Sequence, residues 1–354
     1  MKILILCGKY GMGHFMAAKA IEEQLMKDDD IEKIKVLDFV EYSFPISHKF
    51  LYTSFKLLTT KIPKLFAKFY PIVANNKSTP LASYTMSKKL DKIIKEEACD
   101  IVISTLPEIS KAFALYKENY KTKTKLVTCI TDISYFYEWV CPASDLVLAP
   151  IQEVKNYLIN SGIDQDKILV SGIPVKESFY KFEKIITDKF QLLLMGGGLG
   201  NIPIDKEFYK KIESRADIET TVLCAKNKKL YQYLKNNHPK INSITFTDTV
   251  DDYFRKADLL ITKTGGITSF EAIFAELPIL TYVPFLPQEA NNAKYLEKMA
   301  SAKIMWDNPK DPYDLINSII ENNELKEMSK NMKKIKNNLD TNYVEKIKEL
   351  VHVK

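Results

Sequence analysis

The sequence predicts an α/β fold built on two parallel sheets, and three observations carry that prediction. Short apolar strands alternate with helical stretches along most of the 354 residues. Each half opens the same way, with a strand running into a glycine-rich turn: Lys2–Cys7 then Gly8–His14, and Gln191–Met195 then Gly196–Gly200. The length suits two ordinary domains, and at 46% hydrophobic residues each can bury a core.

In chain order, Lys2–Cys7 is read as a strand and Phe15 to about Lys27 as a helix, with Ala17, Ala18, Ile21 and Leu25 at helical spacing. Lys35–Asp38 completes a βαβ start. Ile101–Thr105, Leu126–Ile130, Leu146–Ala149 and Ile168–Val170 are further buried strands. The pattern breaks around Gly172-Ile-Pro174, and an irregular charged stretch leads to Lys189. The second unit then runs through Gln191–Met195, Thr220–Cys224, Ser243–Thr247, Leu259–Ile261, Ile279–Tyr282 and Ala302–Met305. The expected partition is residues 1–172, a linker 173–189, a second domain 190–324 and a lysine-rich helical tail 325–354 able to pack back on the first domain.

Net charge is +6, which permits an anionic partner without demanding one and gives no sign of nucleic-acid binding. The cysteines, Cys7, Cys99, Cys129, Cys141 and Cys224, are scattered without metal-ligand spacing and read as reduced, core-filling thiols of a cytoplasmic protein. No apolar run approaches the roughly 20 residues of a spanning helix. One segment, Phe39 to Asn76, interleaves aromatics with Lys56, Lys61, Lys64 and Lys68, and carries no acid after Glu41. It reads either as a foot for an anionic membrane surface or as surface helices whose apolar faces cover the core.

Several motifs carry chemistry. In Gly8–His14, the glycines Gly8, Gly11 and Gly13 loosen a turn at the end of the first strand, where open α/β sheets bind ligands. The turn reads as a dinucleotide loop, with Asp38 as the ribose acid, or as a mount for His14. At the mouth of a helix the dipole disfavours the imidazolium, which keeps His14 available as a general base; the alternative is a structural histidine. Asp132, after Thr131, either orients His14 or an acceptor hydroxyl, or caps the next helix. Glu108 is a weaker candidate of the same kind. Asp28–Asp30 reads as a solvated loop.

In the second half, Gly197 and Gly198 sit in a run with more glycine than a turn needs, and their N–H groups suit a phosphate. Lys263-Thr-Gly265-Gly266 opens a helix carrying Thr268 and Glu271, an anion cradle followed by a carboxylate for a diol. Gln288, Glu289 and Asn292 follow in a proline loop as a clamp for sugar hydroxyls. No metal-binding D-x-D is seen beside a strand, and no metal site or cofactor is expected.

Gly11-Met-Gly-His14-x-x-Ala17-Ala18, Thr131-Asp132 with Trp139, Gly172-Ile-Pro174, Met195–Gly198, Lys263–Gly266 with Glu271-Ala272, and Pro284–Asn292 together resemble the diacylglycerol glycosyltransferases related to monogalactosyldiacylglycerol synthase, and more distantly the peptidoglycan enzyme MurG. The resemblance spans nearly the whole chain. It implies a GT-B fold, two Rossmann-like domains facing across a cleft, and inverting, metal-independent transfer of a hexose from a UDP-sugar to diacylglycerol by a peripheral protein on the inner face of the cell membrane. His14 would be the base or part of the acceptor site. Glu271 would hold the ribose, Gln288 and Glu289 the sugar hydroxyls, and Gly265–Thr268 the diphosphate.

Phe136 and Cys141 stand where the family often has histidines, and the loop ending at Asn292 lacks the family's usual glycine. The first two departures bear on the acceptor more than on the donor. The alternatives are a MurG-like amino-sugar transferase, a UDP-sugar epimerase, or a non-catalytic UDP-sugar-sensing membrane protein. Glucose and galactose donors are not distinguished.

Overall fold

The structure, a computed structural model, describes residues 1–305 and 311–352. Residues 306–310, within the expected second domain, and 353–354, at the end of the expected tail, lie outside the described residues. Contacts divide the chain into two units. One comprises Met1–Glu177, Phe285–Gln288 and the segment from Asn338; the other comprises Ser178–Pro284 and Glu289–Asn337.

The first unit holds a six-stranded parallel sheet. Its strands are β1 (Lys2–Cys7), β2 (Lys33–Asp38), β3 (Ile101–Ser104), β4 (Lys125–Cys129), β5 (Leu146–Ala149) and β6 (Ile168–Val170). Side chains alternate across the sheet, so one strand serves two cores. Leu4 and Leu6 of β1 pack with Val102 and Leu126 beneath the Leu81–Glu97 and Pro107–Tyr120 helices. Ile3 and Ile5 pack on the other face with Ile103, Val127 and the Gly13–Leu25 helix. Burial on both faces is why these strands read as continuous apolar runs.

The Tyr343–His352 helix closes this second core, with Tyr343 and Ile347 wholly buried. Burying each such side chain contributes about 1.5–3 kcal/mol. The returning helix corrects the reading of Asp28–Asp30 as solvated only in part: Lys348 Nζ lies 2.6 Å from Asp28 and 2.9 Å from Asp30, but Asp29 and Asp30 remain exposed. The preceding Glu324–Asn337 helix stays in the second unit, against the Gly266–Phe274 helix.

The strand order β2-β1-β3-β4-β5-β6 reverses direction between β1 and β3. The crevice at the carboxyl ends of that pair is where a doubly wound sheet receives ligand. The turns after β1 and β3 therefore matter most.

The second unit repeats the plan with β7 (Phe190–Met195), β8 (Ile218–Ala225), β9 (Asn242–Thr245), β10 (Leu259–Thr262), β11 (Ile279–Tyr282) and β12 (Ala302–Met305). Their order is β12-β11-β10-β7-β8-β9, so the switch lies between β7 and β10. Both glycine motifs of the second half leave the carboxyl ends of that pair.

Between β2 and β3 the chain forms four helices, of which His48–Lys61 and Pro63–Ala74 make a hairpin. This hairpin divides the basic aromatic segment by face. Phe50, Leu57, Leu65, Phe69, Ile72 and Val73 are exposed, and Lys56, Lys61, Lys64 and Lys68 are exposed among them. Phe55, Phe66 and Tyr70 turn inward, in a ladder of ring contacts running from Tyr10 to Phe136. Among the described residues, no helix is long and apolar enough to cross a membrane.

Candidate functional site

The first unit's switch point assembles around His14. The Gly13–Leu25 helix begins there, and Met12 before it provides no side-chain cap. A Cβ added at Gly11 or Gly13 would meet nothing within 4 Å. Packing within the fold does not explain these glycines, and their backbone faces open space.

The His14 Nδ1 lies 2.6 Å from the Thr105 carbonyl oxygen and 2.9 Å from Thr131 Oγ1. A carbonyl only accepts, so Nδ1 carries the proton and Nε2 keeps its lone pair. The Thr105 hydroxyl donates back to the His14 carbonyl at 3.0 Å. Burial pushes the imidazole pKa down to about 4, against the Thr105 hydrogen bond, which raises it. His14 is thus neutral, as expected, but burial is the dominant cause in place of the helix dipole.

Thr105 follows β3 and Thr131 follows β4, so three neighbouring strand ends build the site. Trp139 stands over it, its ring 6.4 Å from that of His14. Asp132 does not cap an α-helix: the next element is the 3-10 turn Tyr137–Trp139, preceded by Phe136.

Asp132 and Glu108 belong to an acidic group whose third member, Glu138, sequence reasoning missed. Burial pushes Glu138 up to about 8, with the charges of Glu108 and Asp132 adding to the rise. Burial also raises Glu108 and lowers Lys111. The signal in the sequence was a lone acid, Glu138, inside an aromatic run directly after Thr131-Asp132. Cys141 lies in the core, its Sγ donating to the Ser110 carbonyl at 3.4 Å, so that family departure falls away from the crevice. Asp38, read as a ribose acid of a dinucleotide loop, has structural partners. It caps the Phe39–Ser43 helix, accepts from Tyr52 at 2.6 Å and faces Lys9.

The second unit's switch point brings two glycine loops together. In Gly196–Gly200, three of the four glycines serve the fold itself. Gly200 has φ +65, and a Cβ there would sit 1.8 Å from the Cys224 carbonyl oxygen. One at Gly196 would sit 2.4 Å from that of Asn201. Gly197 also has φ +65, and its missing Cβ leaves space beside Lys263, whose Cε would be 3.0 Å away. The apparent excess of glycine is therefore largely a packing requirement, with Gly197 and Gly198 at the loop's outer turn.

Gly265 differs: its φ is ordinary, and a Cβ would meet nothing within 4 Å. It opens the Gly266–Phe274 helix without a side-chain cap, leaving first-turn N–H groups, near Thr268, for an anion. Glu271 on this helix is 8% exposed.

The Pro287–Lys298 helix is clamped to this turn. Lys263 Nζ reaches Glu289 Oε1 at 2.7 Å, and the Thr264 hydroxyl donates to the Glu289 carbonyl at 2.8 Å. Asn292, expected at the sugar, is wholly buried and donates to the Thr264 carbonyl at 2.8 Å. It braces the turn. Gln288 is half-buried, with Oε1 lacking a hydrogen-bond partner. Lys263, read only as part of the turn, emerges as the cation beside Gly197.

The chain is similar to known proteins in sequence and in fold. Residues 14–175 match the family of monogalactosyldiacylglycerol (MGDG) synthase. Residues 204–351 match the glycosyltransferase family 28 C-terminal domain. The processive diacylglycerol β-glucosyltransferase of Bacillus mycoides (strain KBAB4) is 28% identical over 322 residues, covering 86% of this chain and 82% of the relative. That of Bacillus cereus (strain 03BB102) matches equally. Among solved structures, Acinetobacter baumannii MurG superposes with a TM-score of 0.66 at 15% identity, covering 99% of this chain and 98% of the other. The UDP-GlcNAc 2-epimerase of Neisseria meningitidis, bound to UDP-GlcNAc, gives 0.62 at 16% identity and 99% coverage of both chains. These likenesses show the fold class, GT-B with two Rossmann-like domains.

Proposed function

We propose that this chain, with its monogalactosyldiacylglycerol synthase and family 28 C-terminal regions, is an inverting glycosyltransferase moving a hexose from a UDP-sugar to diacylglycerol at a membrane surface. The observation that carries the reading is His14: neutral, with Nδ1 committed to Thr105, at a glycine turn beside a hairpin that exposes apolar and basic residues.

His14 Nε2 takes the proton from the acceptor hydroxyl. The oxygen attacks the anomeric carbon from the face opposite UDP, forming the new glycosidic bond as the bond to the diphosphate breaks. The electron pair leaves with UDP. That charge is met by the N–H groups of Gly265–Thr268, by Gly197 and Gly198, and by the ammonium of Lys263. Glu271 accepts from the ribose diol, and Gln288 and Glu289 bind sugar hydroxyls. Asp132 shapes the acceptor side. No divalent metal or cofactor takes part in this scheme.

The hairpin seats the first unit on anionic lipid of the inner leaflet, its exposed phenylalanines and leucines in the headgroup region and its lysines at phosphates. Glucose is the sugar that the names of the bacillary relatives favour.

Thin-layer analysis of lipids from cells expressing the chain, fed labelled UDP-glucose and UDP-galactose in turn, tests the function. Labelled glycosyldiacylglycerol is the expected product. Sugar-nucleotide interconversion without vesicles would instead establish the epimerase that the structural likeness admits. Loss of activity in EDTA, restored by Mg²⁺ or Mn²⁺, would refute the metal-free scheme.

A further inference from the structure

The hairpin does more than expose an apolar face. Its second helix, Pro63–Ala74, is tied by its carboxyl half to the loop that carries Asp132 and Trp139. Tyr70 OH donates to Glu138 Oε1 at 2.5 Å, and the Tyr70 ring stands edge-on to Phe136 at 5.3 Å. Just beyond the helix, Asn75 Oδ1 accepts from the Tyr137 N–H at 3.2 Å, and Lys77 lies over the Tyr137 ring. Three consecutive loop residues, Phe136, Tyr137 and Glu138, are thus held by one end of one helix. The next residue, Trp139, faces His14. Ile72 and Val73 of the same helix end are 68% and 71% exposed, so the tie sits directly behind the surface that would meet lipid.

We infer that Tyr70 is a positioning residue of the acceptor site: through Glu138 and Phe136 it couples the seating of the hairpin on a membrane to the placement of the Asp132–Trp139 loop beside His14. The inference rests on the proposed transfer to a membrane acceptor. Its chemistry is one hydrogen bond to a buried carboxyl group flanked by Glu108, Asp132 and Lys111, a surrounding in which loss of the phenol oxygen has no ready substitute. Tyr70→Phe keeps the ring contacts and removes only that bond.

The experiment uses the full chain carrying Trp306→Phe, which leaves Trp139 as the sole tryptophan. Anionic vesicles free of diacylglycerol are added, and Trp139 emission and acrylamide quenching are followed beside vesicle co-sedimentation. The parent should show a lipid-dependent change at Trp139. Tyr70→Phe should pellet equally yet lose at least about half of that change.

With diacylglycerol in the vesicles, acceptor kcat/KM should fall at least about tenfold in Tyr70→Phe, the usual scale for leaving a buried hydrogen-bond partner unsatisfied, with the UDP-sugar KM unchanged. Glu138→Gln, which keeps the acceptor oxygen, should retain most activity. Glu138→Leu should match Tyr70→Phe, and the double variant should be no worse than either. A parent without any Trp139 response overturns the inference. So does a Tyr70→Phe variant with parental acceptor kinetics, one whose loss follows weaker pelleting, or strictly additive losses in the double variant. If the Trp139 response depends on Tyr70 while the parent transfers no sugar to diacylglycerol, the coupling stands and the proposed function falls.

Discussion

Acidification separates the His14 of this structure from an ordinary histidine. Its pKa is pushed down to about 4, so the imidazole stays neutral through the mildly acidic range. For one essential base the active fraction is 1/(1 + 10^(pKa − pH)). At about pH 5.5 a histidine at its usual value of about 6.5 would leave about a tenth of kcat/KM, whereas one near 4 leaves over about nine-tenths. The folded state must be checked in parallel. Between the two values the unfolded chain binds the proton that the native His14 refuses, so stability drops as pH falls from the unfolded value toward the folded one. Glu138, pushed up to about 8, ionises on the alkaline side, away from this limb. The assay is acceptor kcat/KM from about pH 4.5 to 7, with circular dichroism and vesicle pelleting at each point. His14→Ala, at neutral pH, should lose roughly 10²–10⁴-fold in turnover and keep UDP binding. An acid limb centred near 6.5 in a fully folded, vesicle-bound enzyme would refute the buried-base argument. Near-normal turnover in His14→Ala would make the histidine structural and Asp132 the first alternative.

Glu271→Ala should weaken UDP binding by about 1–3 kcal/mol, measured by calorimetry, and unchanged affinity in a folded variant would remove the ribose assignment. Asn292→Ala leaves the Thr264 carbonyl without its donor and should cost about 1–3 kcal/mol of stability, seen as a lower urea midpoint. A parental midpoint with weaker UDP binding would return Asn292 to the ligand. Replacing Lys56, Lys61, Lys64 and Lys68 with Ser should weaken pelleting with anionic vesicles, each lysine contributing about 1 kcal/mol at low salt and less as salt rises, while UDP affinity holds. Parental pelleting at low and moderate salt would leave the hairpin without its membrane role.

The fold was legible because its strands are buried on both faces, and such strands announce themselves as apolar runs whatever surrounds them. The glycine turns were legible for the same reason: they end those runs. What each glycine does was not. Gly200 and Gly265 look alike in sequence, yet one is fixed by a carbonyl oxygen from β8 and the other faces open space. Long-range partners hid the rest. Asp38 meets Tyr52, Asn292 meets Thr264, and His14 finds Thr105 and Thr131 only when three strands lie side by side. The hairpin's lysines and aromatics were visible as composition, but their division between an outward face and an inward ladder depends on what the helices pack against.

The Tyr343–His352 helix has a bearing on how the protein is made. Asp28 and Lys348 are partners across 320 positions of chain. A ribosome releasing the polypeptide delivers the first sheet early, but the residues that cover one of its faces emerge only after the whole second unit. During synthesis the face lined by Ile3, Ile5 and Ile21 has only part of its cover, while the second unit is complete once Asn337 is out. The nascent first unit is therefore a natural client for holding chaperones. A protease nick or premature stop shortly before Tyr343 would leave the second unit folded and strip the first of its closing piece.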